Sequence, residues 1–256
     1  ASTESSRPAE RPRYDLRVNR LATGAAVTLG AAYWIGSSKL FQDSLSPDAC
    51  RIFCEDRVNP FDRIFSELLR WDDDTLPQRL SDASAYAVIP AIAIGGLTLS
   101  GYRAHGDDWK GEWVDDLLVV AEVAVTVGVI NRTTVLTLGR TRPRTANADP
   151  GDPDSMAGDA YQSFFSGHTS AAFAVGISAA MVARLRGYKL EPYLWASAIF
   201  FGSATGYLRI AGSDHYPTDV LVGAAVATGA GLLIPWLHRQ PTGEHRLAVG
   251  GRAIDG

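Results

Sequence analysis

The sequence predicts an all-α fold: a six-helix, up-and-down bundle whose apolar blocks read as membrane spans, with the buried helices of a soluble bundle as the competing reading. Three observations predict it. Six apolar blocks recur along the 256 residues, and most run about 18–22 residues, the length that crosses a hydrocarbon core as a helix. The blocks are crowded with Ala, Gly and Ser, which lets helices approach closely. No strand-like alternation bounded by hairpin turns interrupts them.

Residues 1–20 are polar, rich in Arg and Pro, and hold no apolar run of the kind a signal peptide carries. They read as a flexible tail, matched by a second tail at 240–256. The helical domain between them, 21–239, opens with the block 21–41. Cys50 and Cys54 follow in SPDACRIFCED. Neither a His nor a third Cys stands near enough to complete a metal site, which leaves a local disulfide of an oxidising compartment or two free thiols. A shorter amphipathic helix at 60–71 aligns Phe61, Ile64, Phe65, Leu68 and Leu69. The acidic run Asp72, Asp73, Asp74 reads as a solvated loop. The remaining blocks are 85–104, 115–138, 169–186, 193–210 and 218–238. The third of the six holds Asp115, Asp116, Glu122 and Arg132, groups that are costly in lipid unless paired or functional. Glu122 is a candidate partner for Arg132 or for a polar group on a neighbouring helix.

Lys+Arg 24 against Asp+Glu 28 leaves a net charge of −4, without the basic excess of a nucleic-acid binder. Hydrophobic residues at 46% and charged residues at 20% exclude a disordered chain. The charge is unevenly placed. With the start inside, the segments 1–20, 104–113, 184–190 and 239–256 share one side and hold Arg13, Arg17, Arg20, Arg184, Arg186 and Lys189. The cysteines and the acidic run fall on the other side, which fits the positive-inside tendency. A leader peptide removed from the start would reverse that orientation.

Three polar motifs sit at block ends: GRTRPR at 139–144, SFFSGHTS at 163–170 and YLRIAGSDHYPTD at 207–219. In an up-and-down bundle all three meet on one face. Arg142 and Arg209 are forked donors suited to a tetrahedral oxyanion. Ser166 and Gly167 stand at a helix start, where amide groups favour an anion, and His168 follows. His215 and Asp219 are four apart and share a helix face. A carboxylate on one imidazole nitrogen frees the other as nucleophile or base. Singly, each motif has a plain reading: interfacial arginines, a Ser166 helix cap, a capping pair. Together and in order, they describe a cationic cup suited to phosphoryl transfer through a phosphohistidine.

The set resembles the superfamily of type 2 phosphatidic acid phosphatases and vanadium haloperoxidases, whose signature runs K-x6-R-P, then P-S-G-H, then S-R-x5-H-x3-D. Arg142-Pro143 match the first motif. Phe165-Ser166-Gly167-His168 match the second with Phe for Pro, and Leu208-Arg209 with His215 and Asp219 match the third with Leu for Ser. The resemblance covers about residues 85–238. It implies a phosphoric ester hydrolase that needs neither metal nor cofactor, on that family's bundle. His215 would be the nucleophile, oriented by Asp219, and His168 would protonate the leaving alkoxide. Arg142 and Arg209 would clamp phosphate oxygens, and the Ser166 and Gly167 backbone would complete the cradle. The family lysine, seven before Arg142, falls on Val135, and Arg140 is the candidate substitute. The implied substrate is a phosphorylated lipid or a small phosphate ester. The implied location is the bacterial cell envelope, as an inner-membrane protein with a periplasm-facing site or as a soluble periplasmic acid phosphatase. A phospholipid-headgroup binder weakened by Val135, and a vanadate-dependent haloperoxidase, are the rival readings.

Overall fold

The computed structural model describes residues 13–52, 54, 58–148 and 158–241. Strand β1 (Tyr14–Leu16) leads into α1 (Arg20–Ile35), which runs on through a π-helical turn (Gly36–Leu40) to the single turn α2 (Gln42–Leu45). Next come α3 (Pro60–Leu69) and α4 (Thr75–Ala83), the latter continuing through a second π-helical turn (Ser84–Val88) into α5 (Ile89–His105). A 3-10 turn (Gly106–Trp109) reverses the chain into α6 (Lys110–Leu138). The single turn α7 (Pro143–Ala146) precedes α8 (Gly167–Arg186), α9 (Glu191–Ala211), α10 (Pro217–His238) and strand β2 (Arg239–Pro241). The six long rods coincide with the six apolar blocks, and the fold is all-α as predicted.

Local chemistry sets the rod ends. The Asn19 side chain accepts from the Ala22 amide at 3.1 Å and starts α1. Asn59 does the same for α3, taking the Asp62 amide at 2.9 Å ahead of Pro60. α6 and α8 stop on Gly139 and Gly187 at φ +59° and +68°, the left-handed conformation that glycine adopts without penalty. The second rod begins at Thr75, well before the apolar block at 85. Its first stretch, TLPQRLSDA, buries only Pro77 and Ser81, and its two leucines are isolated among polar residues and exposed, so no apolar run announces it.

α8 lies at the centre, packed on α6, α9 and α10, and its small residues make that possible. A Cβ at Gly176 would stand 2.8 Å from that of Ala198 on α9, and one at Gly231 of α10 would stand 3.0 Å from Ile177. Larger groups fill the remaining core. Leu97, Val119, Val123 and Val127 are fully enclosed, each contributing roughly 1.5–3 kcal/mol by leaving water.

The rods alternate in direction, so the bundle has two chemically distinct ends. At one end Arg186 reaches Asp116 at 2.9 Å, Tyr188 donates to the same carboxylate at 2.9 Å, and Arg20 pairs with Asp115 at 2.7 Å. Glu122 is paired there with His238 at 2.9 Å, so its partner is not Arg132. The other end carries the three polar motifs.

Both tails are shorter than expected at their inner edges. Tyr14–Leu16 pairs antiparallel with Arg239–Pro241, and the Arg17 amide donates to the His238 carbonyl at 2.7 Å. The pairing arises because α1 starts where α10 ends, a proximity that only the bundle creates. The rest of the predicted tails, 1–12 and 242–256, lies outside the described residues. Among the described residues three stretches are long and apolar enough to cross a membrane: Thr75–His105, Gly167–Arg186 and Pro217–His238.

Candidate active site

His215 sits in the short loop between α9 and α10, and the chain around it is bound to two separate motifs. Its own amide donates to the Arg209 carbonyl at 3.3 Å. Its ring Nδ1 lies 2.7 Å from the Ser163 carbonyl, which makes Nδ1 the protonated nitrogen. Nε2 is therefore the lone-pair nitrogen, and it lies 3.5 Å from Nη1 of Arg142. Asp219 does not bond the ring directly: its Oδ2 is 3.8 Å from Nδ1. It acts one step back. It accepts from the Ser163 hydroxyl at 2.6 Å and from the Tyr216 amide at 2.9 Å, holding both the residue that grips His215 and the first turn of α10. The expected direct His–Asp hydrogen bond is corrected accordingly: the Nδ1 proton goes to the Ser163 carbonyl, and Asp219 stays beside the ring as an ion-pair neighbour at 3.8 Å.

His215 opens onto a cavity of about 770 Å³. Arg142, Arg209, Gly167 and His168 line it too. Arg209 Nη2 pairs with Asp214 at 2.6 Å, and Arg144 bonds the other oxygen of that carboxylate. Arg142 binds the Asp214 carbonyl at 3.0 Å and Asp159 at 3.3 Å. Burial pushes the Asp214 carboxyl up, but Arg209, Arg142 and Arg144 together bring it below the ordinary value. Asp159 is likewise pushed up by burial and drawn down further by Arg142 and Arg144. The guanidiniums are thus held in place by carboxylates before any ligand arrives. His168 Nε2 pairs with Asp82 at 2.8 Å and its ring stacks edge-on against Tyr86, centroids 4.9 Å apart.

The family model described as the PAP2 superfamily matches residues 116–242, the stretch that carries all three motifs. The chain belongs to that superfamily. A lipid A 1-phosphatase of Porphyromonas gingivalis is 30% identical over 160 residues, 61% of this chain and 31% of that protein. The match therefore spans about a third of the length of that relative.

In this PAP2 chain two of the expected phosphate ligands are placed elsewhere. Arg140 does not reach the cavity. Its Nη1 bonds Asp219 at 2.5 Å, its Nη2 bonds Asp62 at 2.7 Å, and the guanidinium lies 4.3 Å over the Tyr216 ring. It cannot stand in for the lysine missing at Val135, because two buried carboxylates already hold it. Ser166 also turns away: its amide donates to the Asp219 carbonyl at 3.1 Å and its hydroxyl caps α8. The amides left for an anion are those of Gly167 and His168, the first two residues of α8. Gly167 keeps this approach close, since a Cβ would stand 3.1 Å from the Asn131 side-chain oxygen.

Sequence reasoning missed Asp62, Asp82, Asp159, Ser163 and Asp214. Two of these carried a signal: Asp214 stands directly beside His215, and Ser163 opens the motif SFFSGHTS. Cys50 and Cys54 are bonded to each other at the same end, beside Gly139, with Cα atoms 5.6 Å apart. Among the described residues no group of His, Cys, Asp and Glu side chains is placed to hold a metal ion.

Proposed function

We propose that this chain is a metal-independent phosphatase that hydrolyses phosphate monoesters or diphosphates of lipids through a phosphohistidine on His215. One observation carries the reading. With Nδ1 bound to the Ser163 carbonyl, the Nε2 lone pair faces a cavity walled by guanidinium groups. In the first step Nε2 attacks phosphorus in line with the ester oxygen. The N–P bond forms, the P–O bond to the lipid breaks, and His168 gives its proton to the departing oxygen. Asp82, 2.8 Å from His168 Nε2, would be the counter-ion of the protonated ring in that step. In the second step a water attacks phosphorus while neutral His168 takes its proton. The P–N bond breaks, phosphate leaves, and His215 returns to its neutral form. Arg142, Arg209 and the amides of Gly167 and His168 balance the charge on the equatorial oxygens throughout.

Two observations support a lipid and a membrane setting. Ile94, Ile199, Phe200, Leu221 and Leu233 project from α5, α9 and α10 with roughly half their surface exposed, a belt suited to hydrocarbon rather than water. The similar Porphyromonas gingivalis protein is named a lipid A 1-phosphatase. On this reading the protein belongs to the bacterial cell envelope, with the basic end in the cytoplasm and the cavity facing the periplasm.

The test is phosphate release from lipid phosphates in vesicles by wild type and His215→Ala. The variant is expected to lose roughly a thousand-fold or more, and acid-labile phosphate is expected on the wild-type chain after rapid quenching in alkali. Turnover by His215→Ala close to wild type overturns the reading. Headgroup binding with no His215-dependent turnover replaces it with the weakened binder that Val135 suggests.

A further inference from the structure

α3 packs little of itself against the bundle. Of its 10 residues only Asp62 is buried. A helix this short is marginal in water and takes its stability from packing an amphipathic stripe against a partner. The stripe exists, but it points away from the bundle. At 3.6 residues per turn three faces separate. Asp62, Ser66 and Leu69 turn to the bundle and are buried or half-buried. Phe61, Ile64, Phe65 and Leu68 form a second face, exposed throughout and 70% so at Leu68, with the two phenyl rings 4.8 Å apart. Arg63 and Glu67 form the third, exposed and charged. One face on protein, one apolar and one charged is the division expected of a helix lying in the plane of a lipid surface.

The points where this segment meets the bundle fix its level. Asp62 accepts from the Thr218 amide at 2.9 Å, one turn before the exposed Leu221 of α10. Just past the other end of α3, the Trp71 amide donates to the Ala211 carbonyl at 3.1 Å and its indole N–H to the Tyr207 hydroxyl at 2.9 Å. Tyr207 is exposed two turns beyond Phe200 on α9. α3 thus lies along the cavity-side border of the apolar belt to which Phe200 and Leu221 belong, beside a Trp–Tyr pair of the kind that marks a membrane–water boundary. For four apolar side chains at that border, the nearest apolar partner is lipid.

The buried face leads inward. Asp62 also accepts from Arg140 at 2.7 Å, and Arg140 donates to Asp219 at 2.5 Å. Asp219 takes the Tyr216 amide and the hydroxyl of Ser163, whose carbonyl orients His215. The one side chain that α3 buries is therefore the first link in a series of contacts that ends at the His215 ring.

We propose that α3 is a lipid-contact helix. Its Phe61–Leu68 face seats among the acyl chains just beneath the headgroups on the cavity side, and that seating holds Asp62 in place behind the site. The bilayer supplies the packing partner that the stripe lacks, so lipid contact and order at the start of α10 are opposite sides of one helix. The inference rests on the membrane setting proposed above and not on the phosphoryl chemistry.

Two measurements test this, both on the full chain in lipid nanodiscs. The first places a bimane fluorophore on Leu68→Cys, Arg63→Cys and Ile199→Cys in turn. The native cysteines are bonded to each other and do not compete for it. The lipids carry a nitroxide quencher either near the headgroup or near the chain ends. The Leu68 label is expected to be quenched several-fold more by the shallow nitroxide than the Arg63 label, and the Ile199 label by the deep one. Quenching at Ile199 without quenching at Leu68 overturns the proposal and leaves the membrane setting standing. Quenching at neither overturns both. A Leu68 label shielded from lipid nitroxide and aqueous iodide alike means that another part of this chain or a second copy covers the face, which also overturns the proposal.

The second follows hydrogen exchange at the Tyr216 and Thr218 amides, which donate to Asp219 and Asp62. It compares wild type, the double variant Ile64→Gln/Leu68→Gln, and Arg63→Gln. Both apolar side chains are exposed, so the double variant removes no buried contact, and glutamine is a good helix former. Exchange at both amides is expected to rise roughly ten-fold or more in the double variant, as local opening becomes easier, and to stay unchanged in Arg63→Gln. Exchange equal in wild type and the double variant overturns the link from lipid to Asp62. Neither measurement involves turnover, so a failure of the phosphatase reading is seen separately and alters neither result.

Discussion

His215 is buried, and the side left open faces the cavity. Burial first, then the guanidinium charges of Arg142 and Arg209, hold its imidazole well below the ordinary histidine value. It is neutral, and so nucleophilic, through the whole physiological range. The acid limb of kcat/KM on lipid phosphates is therefore expected to fall well below about pH 6.5, the ordinary histidine value; a midpoint at or above that value would contradict it. The same shift bears on stability. Below about pH 6.5 the unfolded chain binds a proton that the folded chain refuses. Stability is thus full above that pH and lost as the pH falls. His215→Asn is expected to flatten the acid side of an unfolding-midpoint profile. A second residue-scale prediction concerns Asp62, fully buried and accepting from Arg140, Thr218 and Asn59. Asp62→Ala strands Arg140 beside Asp219 and is expected to destabilise by about 3–5 kcal/mol, as broken buried pairs do. Denaturant unfolding in detergent measures that loss, and a change under 1 kcal/mol would mean the network does not hold α3 to α10.

At the scale of elements, the active end depends on close approach between the start of α8 and the side of α10. Gly223 permits it: a Cβ there would stand 2.8 Å from the Ser166 carbonyl. Backbone cannot give way as a side chain does. Gly223→Ala is expected to destabilise by roughly 1–3 kcal/mol and to lower kcat, because the Ser163–Ser166 segment also carries the carbonyl that orients His215. Thermal unfolding with a turnover assay checks both, and an unchanged kcat would separate the packing from the chemistry. α3 shows a different division. Its Asp62 is locked into the catalytic end while Phe61, Ile64 and Leu68 stay half exposed. The amphipathic stripe read from 60–71 is therefore an outward face, not a core face.

For the whole molecule, the segregation of charge predicts orientation. Arg13, Arg20, Arg186 and Arg239 lie at the end remote from the cavity, whereas the Cys50–Cys54 bridge lies beside it. An impermeant thiol reagent applied to intact cells is expected to label the cysteines only after a reductant opens the bridge. Labelling only after the inner membrane is breached would invert the proposed topology. Much of this was legible beforehand. The six rods showed because length, apolarity and small-residue content are properties of short windows, and the Ser166 cap is local too. Thr75–Ala83 was missed because its buried face is two small or polar residues wide.

Residue types and spacings alone determined the rods, their alternation, the shared end of the three motifs, and the identity of His215, His168, Arg142 and Arg209 as cavity residues. Each follows from neighbours along the chain or from counting helices. Tertiary structure alone decided how those groups are held. Arg140 turned inward to Asp62, the Ser163 carbonyl took the Nδ1 hydrogen bond of His215, and Asp82 and Asp159 arrived from distant segments. It also left Arg132 with neutral oxygens only. The reason is electrostatic. A buried charge takes whichever partner the packing brings within hydrogen-bond reach, and that distance is set by how the rods cross, not by their order in sequence.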